Sequence, residues 1–323
     1  MTASLSVAVV IATFNRAGFV RTCLEHLDRQ TRPAQRVVVV DASADDRTRT
    51  VVSQFEGVEY RRNDKGRGAT ATSRALGLEG LDEDVVAFID DDAFAEPTWL
   101  EELMEAYVDD RVMAVGGRAI NDQPEEAGEG LGEIGLLLPN GQLTGWFAAD
   151  PGRAVEVDHM LGANMSVRLA AVRSLGGIRD FYPGTCLREE TDIALRMRRA
   201  GMRIVFAPAA VVRHVAGDYA KGRRFDARYR YFGARNHVVL LTTTLGWRDP
   251  HVRRYVRTAI VGTVREFRGG LGALRSRRGV KPKLKGLAGG VRRGTLDLVG
   301  TASGVWAASR ATVRIARGDN GVA

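Results

Sequence analysis

Cysteine is almost absent from this chain: Cys23 and Cys186 are the only two among 323 residues. Two thiols cannot build a disulfide framework or a cysteine-rich zinc site, and such sparse usage suits a reducing compartment. Long apolar runs are absent too. No stretch approaches the roughly 18 consecutive apolar residues of a membrane-spanning helix. The opening Met-Thr-Ala-Ser-Leu-Ser has neither the basic nor the apolar region of a secretory signal and leads straight into a strand, so a cytoplasmic location is expected. Acidic residues are scarce at one end only. From His251 onward there are 16 Lys/Arg and 3 Asp/Glu, against 31 and 36 in residues 1–250. A mildly acidic body with a strongly basic tail points to an anionic partner for the tail, such as a membrane surface, an anionic lipid or nucleic acid.

What is present is a 45% hydrophobic chain, enough for one large or two small cores. Val7 to Ile11, Arg36 to Val40, Val58 to Tyr60 and Val85 to Ile89 read as strands. Helical patterns lie between them, over Ala17 to Gln30, Asp45 to Val52 and Ala69 to Leu78. Strands and helices that alternate in this way imply a mostly parallel sheet flanked by helices. In such sheets ligands bind beyond the carboxyl ends of the strands. The polar residues that follow the strands, Thr13 and Asn15, Asp41 and Ser43, then Asp90 and Asp92, therefore share one rim. A nucleotide fits across that rim, with Asp41 accepting hydrogen bonds from a base or ribose. Taken alone, Asp41 reads more readily as a helix-capping or turn aspartate.

The triplet Asp90-Asp91-Asp92 is the densest charge on the rim. Crowded carboxylates are costly unless a cation sits among them, which suggests a divalent metal. A solvated acidic loop before the helix that follows Pro97 is the alternative. Beyond it, Trp99 to Tyr107 reads as a helix and Val112 to Val115 as a strand. Residues 121–153, rich in Gly, Pro, Glu and Asp, read as a lid or acceptor-side loop. Val155 to Met160 is expected to be a strand, Gly162 to Ser166 a tight turn open to a ligand, and Arg168 to Leu175 a short helix. A second acidic cluster, Glu189, Glu190 and Asp192, opens a helix that runs to Ala200 and ends in arginines. The helix dipole favours that polarity, although it does not demand three carboxylates within four residues. Strands at Arg203 to Phe206 and Ala210 to Val212 lead to His214, which could return to the same rim. From Tyr219 on, the chain reads as helical, with basic residues beside Trp and aliphatic side chains. That pattern suits an interfacial helix, or a solvated tail packed on the body.

Taken in order, several stretches resemble the inverting family 2 glycosyltransferases of the GT-A fold. They are Val9-Val10-Ile11-Ala12-Thr13-Phe14-Asn15-Arg16, Val38-Val39-Val40-Asp41-Ala42-Ser43, Ser73-Arg74-Ala75-Leu76-Gly77-Leu78, Phe88-Ile89-Asp90-Asp91-Asp92, Gly162-Ala163-Asn164-Met165-Ser166, Glu189-Glu190-Thr191-Asp192 and Val212-Arg213-His214. The resemblance spans about residues 5–240. It implies a GT-A catalytic domain over 1–218, with a nucleotide-sugar half at about 1–120 and an acceptor half at about 121–218, followed by a helical, basic region over 219–323. It implies that Asp90 and Asp92 form a DXD pair, with Asp92 the more direct ligand of Mn2+ or Mg2+ and His214 an additional one. It places Thr13, Asn15, Arg16, Asp41, Ser43, Arg74, Asp90 and Asp91 at the nucleotide-sugar, and Gly162, Ala163 and Asn164 on the acceptor side. Glu190 matches the catalytic base, with Glu189 and Asp192 beside it.

Two departures stand out. The family's base is usually the Asp of a Glu-Asp pair, and Ala75 stands where Asn is common. The implied activity is transfer of a sugar from a nucleotide-diphospho-sugar to a hydroxyl of a glycan, a lipid-linked or a small-molecule acceptor, in cell-envelope glycan, polysaccharide or glycolipid synthesis. Peripheral contact with the inner face of a membrane through the tail is an option, and nucleic acid is not an expected partner. The rivals fit less well. A sugar-phosphate nucleotidyltransferase would want a Gly-rich phosphate loop where Thr13-Phe14-Asn15-Arg16 stands, and a haloacid-type phosphatase an Asp-x-Asp-x-Thr after its first strand. A non-catalytic scaffold that binds membrane or nucleic acid through its tail would leave both acidic clusters without a purpose.

Overall fold

The computed structural model describes residues 5–122, 125–215, 227–276 and 279–322. The chain runs β1 (Val7–Thr13), α1 (Ala17–Leu27), β2 (Arg36–Asp41), α2 (Arg47–Val52), β3 (Val58–Arg62), α3 (Thr70–Gly77), β4 (Val85–Asp90), β5 (Ala93–Ala95), α4 (Trp99–Glu105), β6 (Val112–Ile120), β7 (Val155–Glu156), β8 (Asn164–Arg168), α5 (Leu169–Ser174), α6 (Glu189–Arg199), β9 (Arg203–His214), α7 (Ala227–Thr244), α8 (Pro250–Ser276) and α9 (Val280–Ala316). Among the described residues the strands form one sheet in the order β3-β2-β1-β4-β8-β6-β9-β5, with β7 on β9. The first half is parallel throughout, β1 lying between β2 and β4. Beyond β4, β8 pairs antiparallel on both sides, so the second half is mixed.

Continuous apolar strands suit a sheet covered on both faces, and the strand residues divide with period two. Val7, Val9 and Ile11 of β1 join a core with Val20, Cys23 and Leu24 of α1 and Trp99, Leu100 and Leu103 of α4. Ala8 and Val10 face the other way, into a core with Ala71 of α3, Val172 of α5 and Ile193, Ala194 and Met197 of α6. Gly77 lets α3 lie against β1, since a Cβ there would overlap the Val10 side chain. A third cluster joins Phe181, Tyr182 and Leu195 of the body to Val239 and Leu240 of α7 and Ala307, Ala308 and Ala311 of α9.

The structure corrects several expectations. The helix after β1 stops at Leu27 rather than Gln30, and the strand read over 155–160 is confined to Val155–Glu156. Gly162 to Ser166 is not simply a turn, because β8 begins at Asn164. The two strands read at 203–206 and 210–212 are one strand, β9. Its pairing with β6 shifts from Gly117↔Ala207 to Arg118↔Val211, so Pro208, which has no N–H to donate, sits in an irregularity rather than at an end. The described residues of the 121–153 connection pack on the C-terminal helices rather than over the cleft. His237 Nε2 lies 2.7 Å from the Gly141 carbonyl, Arg254 donates to the Pro139 carbonyl, and Leu137 and Leu143 pack on the third cluster. None of its described residues lines the cleft below. The boundary expected at 218/219 and the helix expected from Tyr219 lie outside the described residues, which resume at α7.

Asn164 binds three elements together from full burial. Its Oδ1 accepts the Trp99 indole N–H of α4 at 2.8 Å, and its Nδ2 donates to the Arg118 carbonyl of β6 and the Ala210 carbonyl of β9 at 2.9 Å each. The side chain therefore does not reach the acceptor side, where it was expected. Asn164→Ala would leave those three groups unpaired, each costing about 1–3 kcal/mol. Urea unfolding should show a loss of about 3 kcal/mol or more. A midpoint equal to that of the wild type would refute this role.

Candidate active site

The carboxyl ends of β1, β2 and β4 lie side by side, Thr13 level with Asp41 and Ala12 with Asp90. Above them opens a cleft of about 630 Å³. Its floor carries Thr13, Arg16 and the Asp90–Asp92 triplet, its far wall Glu189 and Glu190 at the start of α6, and its side wall Arg74, Gly162 and Ala163. Both acidic clusters read from the sequence thus face one space.

The triplet divides by partner. Asp91 is buried, accepts the Thr13 hydroxyl at 2.6 Å and pairs with Arg16 at 3.0 Å. Burial nonetheless pushes its carboxyl up to about 7. Asp92 pairs with Arg16 at 2.7 Å and lies 3.3 Å from His214 Nε2. Burial works against its ionisation, but the His214 and Arg16 contacts outweigh it and hold the carboxyl below its usual range. His214 is raised in turn: burial disfavours its charge, while Asp92 and Asp90 more than compensate. His214 reaches this place because Ala93 of β5 pairs with it across β9, and the Val215 N–H donates to the Asp92 carbonyl. One ligand atom from each of Asp90, Asp92 and His214 lies within 4.8 Å of the others. Two carboxylates and an imidazole so arranged are a donor set that suits Mn2+ or Mg2+.

Arg74 links the clusters. It projects from α3, is 3% exposed, and donates through Nη1 to Glu189 Oε1 and through Nη2 to Asp90 Oδ1 at 3.1 Å and to the Gly162 carbonyl at 2.8 Å. Its guanidinium lies 5.5 Å from the Phe88 ring centroid. A Cβ at Gly162 would sit 2.8 Å from Nη2, so this position must stay small. Burial lowers the Arg74 pKa, yet Glu189 and Asp90 reverse that, so the guanidinium stays charged. Glu189 is 3% exposed with Oε2 unpartnered. Its burial outweighs Arg74 and pushes the carboxyl up to about 8. Burial raises Glu190 as well, but Glu190 is only partly covered and opens to the cleft. Asp192 points away, fully buried between Tyr182 (2.6 Å) and Arg196 (2.6 Å). It braces α6 rather than serving the cleft.

The nucleoside rim also needs correction. Asp41 is fully buried. Its Oδ1 accepts the Ser43 N–H at 2.9 Å and the Ser43 hydroxyl, and its Oδ2 accepts Tyr60 OH at 3.0 Å. Ser43 Oγ accepts the N–H of Asn15 at 2.7 Å, and Asn15 is left-handed with φ 56°. Asp41, Ser43 and Asn15 do not line the cleft. They hold the turn that presents Thr13 and Arg16. Tyr60 was missed, because a tyrosine in an edge strand carries no signal of its distant partner. The loop glycines Gly66 and Gly68 also line the cleft; two glycines close together before a helix are the signal that could have found them.

The sequence pattern of Glycosyl transferase family 2 matches residues 8–167, which contain the β1 turn, Asp41, Arg74 and the acidic triplet. The chain is a family 2 glycosyltransferase. It is 29% identical over 227 residues to the glucosyl-dolichyl phosphate glucuronosyltransferase of Haloferax volcanii, covering 67% of this chain and 71% of that one. With the O-antigen chain rhamnosyltransferase WbaN of Salmonella anatum it shares 26% identity over 234 residues, 70% of each. The mannosyltransferase PcManGT from Pyrobaculum calidifontis, solved with GDP-Man and Mn2+, superposes with a TM-score of 0.53 at 17% identity, over 97% of this chain and 76% of that one. That likeness shows the GT-A fold of this glycosyltransferase.

A carboxyl whose folded-state pKa exceeds its unfolded value holds its proton more tightly when folded, so stability falls as pH rises through the interval. For Glu189 that interval runs from its ordinary 4.5 to about 8. Glu189→Gln should therefore flatten the stability profile between those limits, read by urea unfolding at stepped pH. A profile that keeps the wild-type slope would show that Glu189 is ionised throughout.

Proposed function

We propose that this glycosyltransferase moves a sugar from a nucleotide-diphospho-sugar to an acceptor hydroxyl with inversion at the anomeric carbon, in the synthesis of a cell-envelope glycan or glycolipid. The observation that carries this reading is the pair of carboxylate clusters facing one cleft and joined through Arg74. We read residues to about 120 as the donor half and about 121–218 as the acceptor half, with helices α7 to α9 a region of their own.

Glycosyl transfer with inversion needs a base on the acceptor and stabilisation of the departing diphosphate. Asp90, Asp92 and His214 would hold a divalent ion, which would supply Lewis-acid stabilisation of that leaving group. Arg16 and His214 balance the charge of Asp92. His214 would ligate such an ion in its neutral form. Thr13 and Arg16 border the donor. Gly162 and Ala163 leave space for the acceptor, and Glu190 takes the proton of its hydroxyl. The upward shift of Glu190 suits a base, since proton affinity grows with pKa. Glu189 and Arg74 are buried and position the wall from which Glu190 projects. Mn2+ and GDP-Man in the Pyrobaculum neighbour support the metal and donor class. The dolichyl phosphate and O-antigen relatives support an envelope acceptor.

Two substitutions separate these roles. Glu190→Gln should lower transfer by about 10²–10⁴-fold while nucleotide-sugar binding with Mn2+ stays normal by calorimetry. Asp92→Ala should remove the Mn2+ dependence of that binding. Near-normal turnover in the first variant, or intact metal dependence in the second, would sink the corresponding assignment.

We also place the C-terminal helices on an anionic membrane surface. No described helix is long and apolar enough to cross a membrane. However, Ile260, Val261, Val264, Leu271, Leu284, Val291, Leu298 and Trp306 are exposed among the basic residues of α8 and α9. The protein should co-sediment with vesicles that contain anionic phospholipid and release at high salt. Equal binding to neutral vesicles would exclude the electrostatic part.

A further inference from the structure

A second cavity, about 390 Å³, lies between the 180–183 segment of the body and helices α7 and α9. Arg235, Arg310 and Arg314 line it together with Trp306 and Phe181, and Gly68 borders both this cavity and the active-site cleft. The charge balance inside is uneven. Arg314 pairs with Asp319 at 2.6 Å. Asp180 also lines the cavity, with Oδ2 accepting the Thr72 hydroxyl at 2.7 Å. Arg235 has only neutral acceptors, the Phe181 carbonyl at 3.0 Å and Asn236 Oδ1 at 2.7 Å, and its burial lowers its pKa. Arg310 lies 4.7 Å from the Trp306 ring centroid and has no carboxylate partner among the described residues. Arg235 is partly buried without a counter-charge, which is costly, while Arg310 and Arg314 are exposed at the rim; the planar forks of all three match the oxygens of a phosphate group.

Exposed apolar residues of α9 lie beyond the arginines of this cavity. One face of α9 is built of small residues. Gly290 and Gly294 meet Gly270 and Phe267 of α8, and Gly300 and Gly304 meet the Tyr231 and Arg235 carbonyls of α7. The opposite face carries exposed Val291, Leu298, Val305 and Trp306. Trp306 thus stands both in the cavity lining and on that face. The acids of α8 and α9 do not interrupt it, because Glu266 pairs with Arg230 and Arg293 and Asp297 with Arg230.

We infer that the Arg235–Arg310–Arg314 cavity is a subsite for the phosphate or diphosphate group of a lipid-linked ligand, whose hydrocarbon lies along the exposed face of α9. Its neighbourhood to the cleft through Gly68 makes that ligand the acceptor, a point that rests on the glycosyltransferase reading, whereas the anion subsite itself does not.

The test is calorimetry without donor or metal, in EDTA, so it does not depend on transfer. Farnesyl phosphate below its micellar concentration, inorganic pyrophosphate and farnesol are titrated into the full chain and into Arg310→Glu and Arg310→Ala, whose folding is checked by circular dichroism. Farnesyl phosphate should bind the wild type at least tenfold more tightly than Arg310→Glu, with Arg310→Ala between them, and more tightly than either control ligand binds. Equal affinity for wild type and both variants would overturn the subsite. Farnesol binding as tightly as farnesyl phosphate would overturn the anion recognition. Pyrophosphate binding as tightly as farnesyl phosphate, and lost in Arg310→Glu, would keep the anion subsite and overturn the lipid.

Discussion

The contact between the Arg74 guanidinium and two carboxylates of separate origin holds the active site together. Asp90 ends β4 and Glu189 begins α6, and 98 residues of chain lie between them. Without a cation between them, these clusters would repel across a cleft of limited solvent access. Arg74 is fully enclosed, which is tolerable only because the Asp90 carboxylate, the Glu189 carboxyl group and a carbonyl all accept from it. The small residue at Gly162 and the ring of Phe88 shape the slot it occupies. The donor floor and the base-bearing wall are therefore set relative to each other by one side chain, and neither can shift without unpairing a buried charge.

The same logic orders the rest of the rim. Asp41 and Ser43 lie under the surface and hold the turn that carries Asn15, leaving Thr13 and Arg16 to face the cleft. Asn164 does the equivalent work on the other side, joining α4, β6 and β9. In each case a polar residue in a motif position supports the site from within.

The C-terminal helices follow a different rule. They join the body through one apolar cluster and pack on one another through glycines, which brings backbones close without large side chains. Their larger apolar residues are left outward, mixed with arginine and lysine. In a globular domain such residues would be turned in. Their exposure fits a surface that meets something apolar and anionic.

The succession of strands and helices, the continuous apolar runs of β1 and β4, and the two acidic clusters could be read from local pattern, because apolar runs and charge density are properties of neighbouring residues. His214 was within reach of the same reasoning as a strand-end residue. Four features were not. The β9 irregularity at Pro208 reads locally as a break, and only pairing with β6 makes it continuous. The packing of 121–153 depends on His237 and Arg254, about a hundred residues away. Asp41, Asn164 and Asp192 sit in motif positions, and their burial decides that they support the site rather than face it. The bridge from Arg74 to Glu189 spans 115 residues. Local sequence thus specified which elements form and where charge gathers. Which carboxylates meet, which polar groups face solvent and which arginines lack a counter-ion depended on long-range packing, since burial and charge pairing arise only when distant segments are brought into contact.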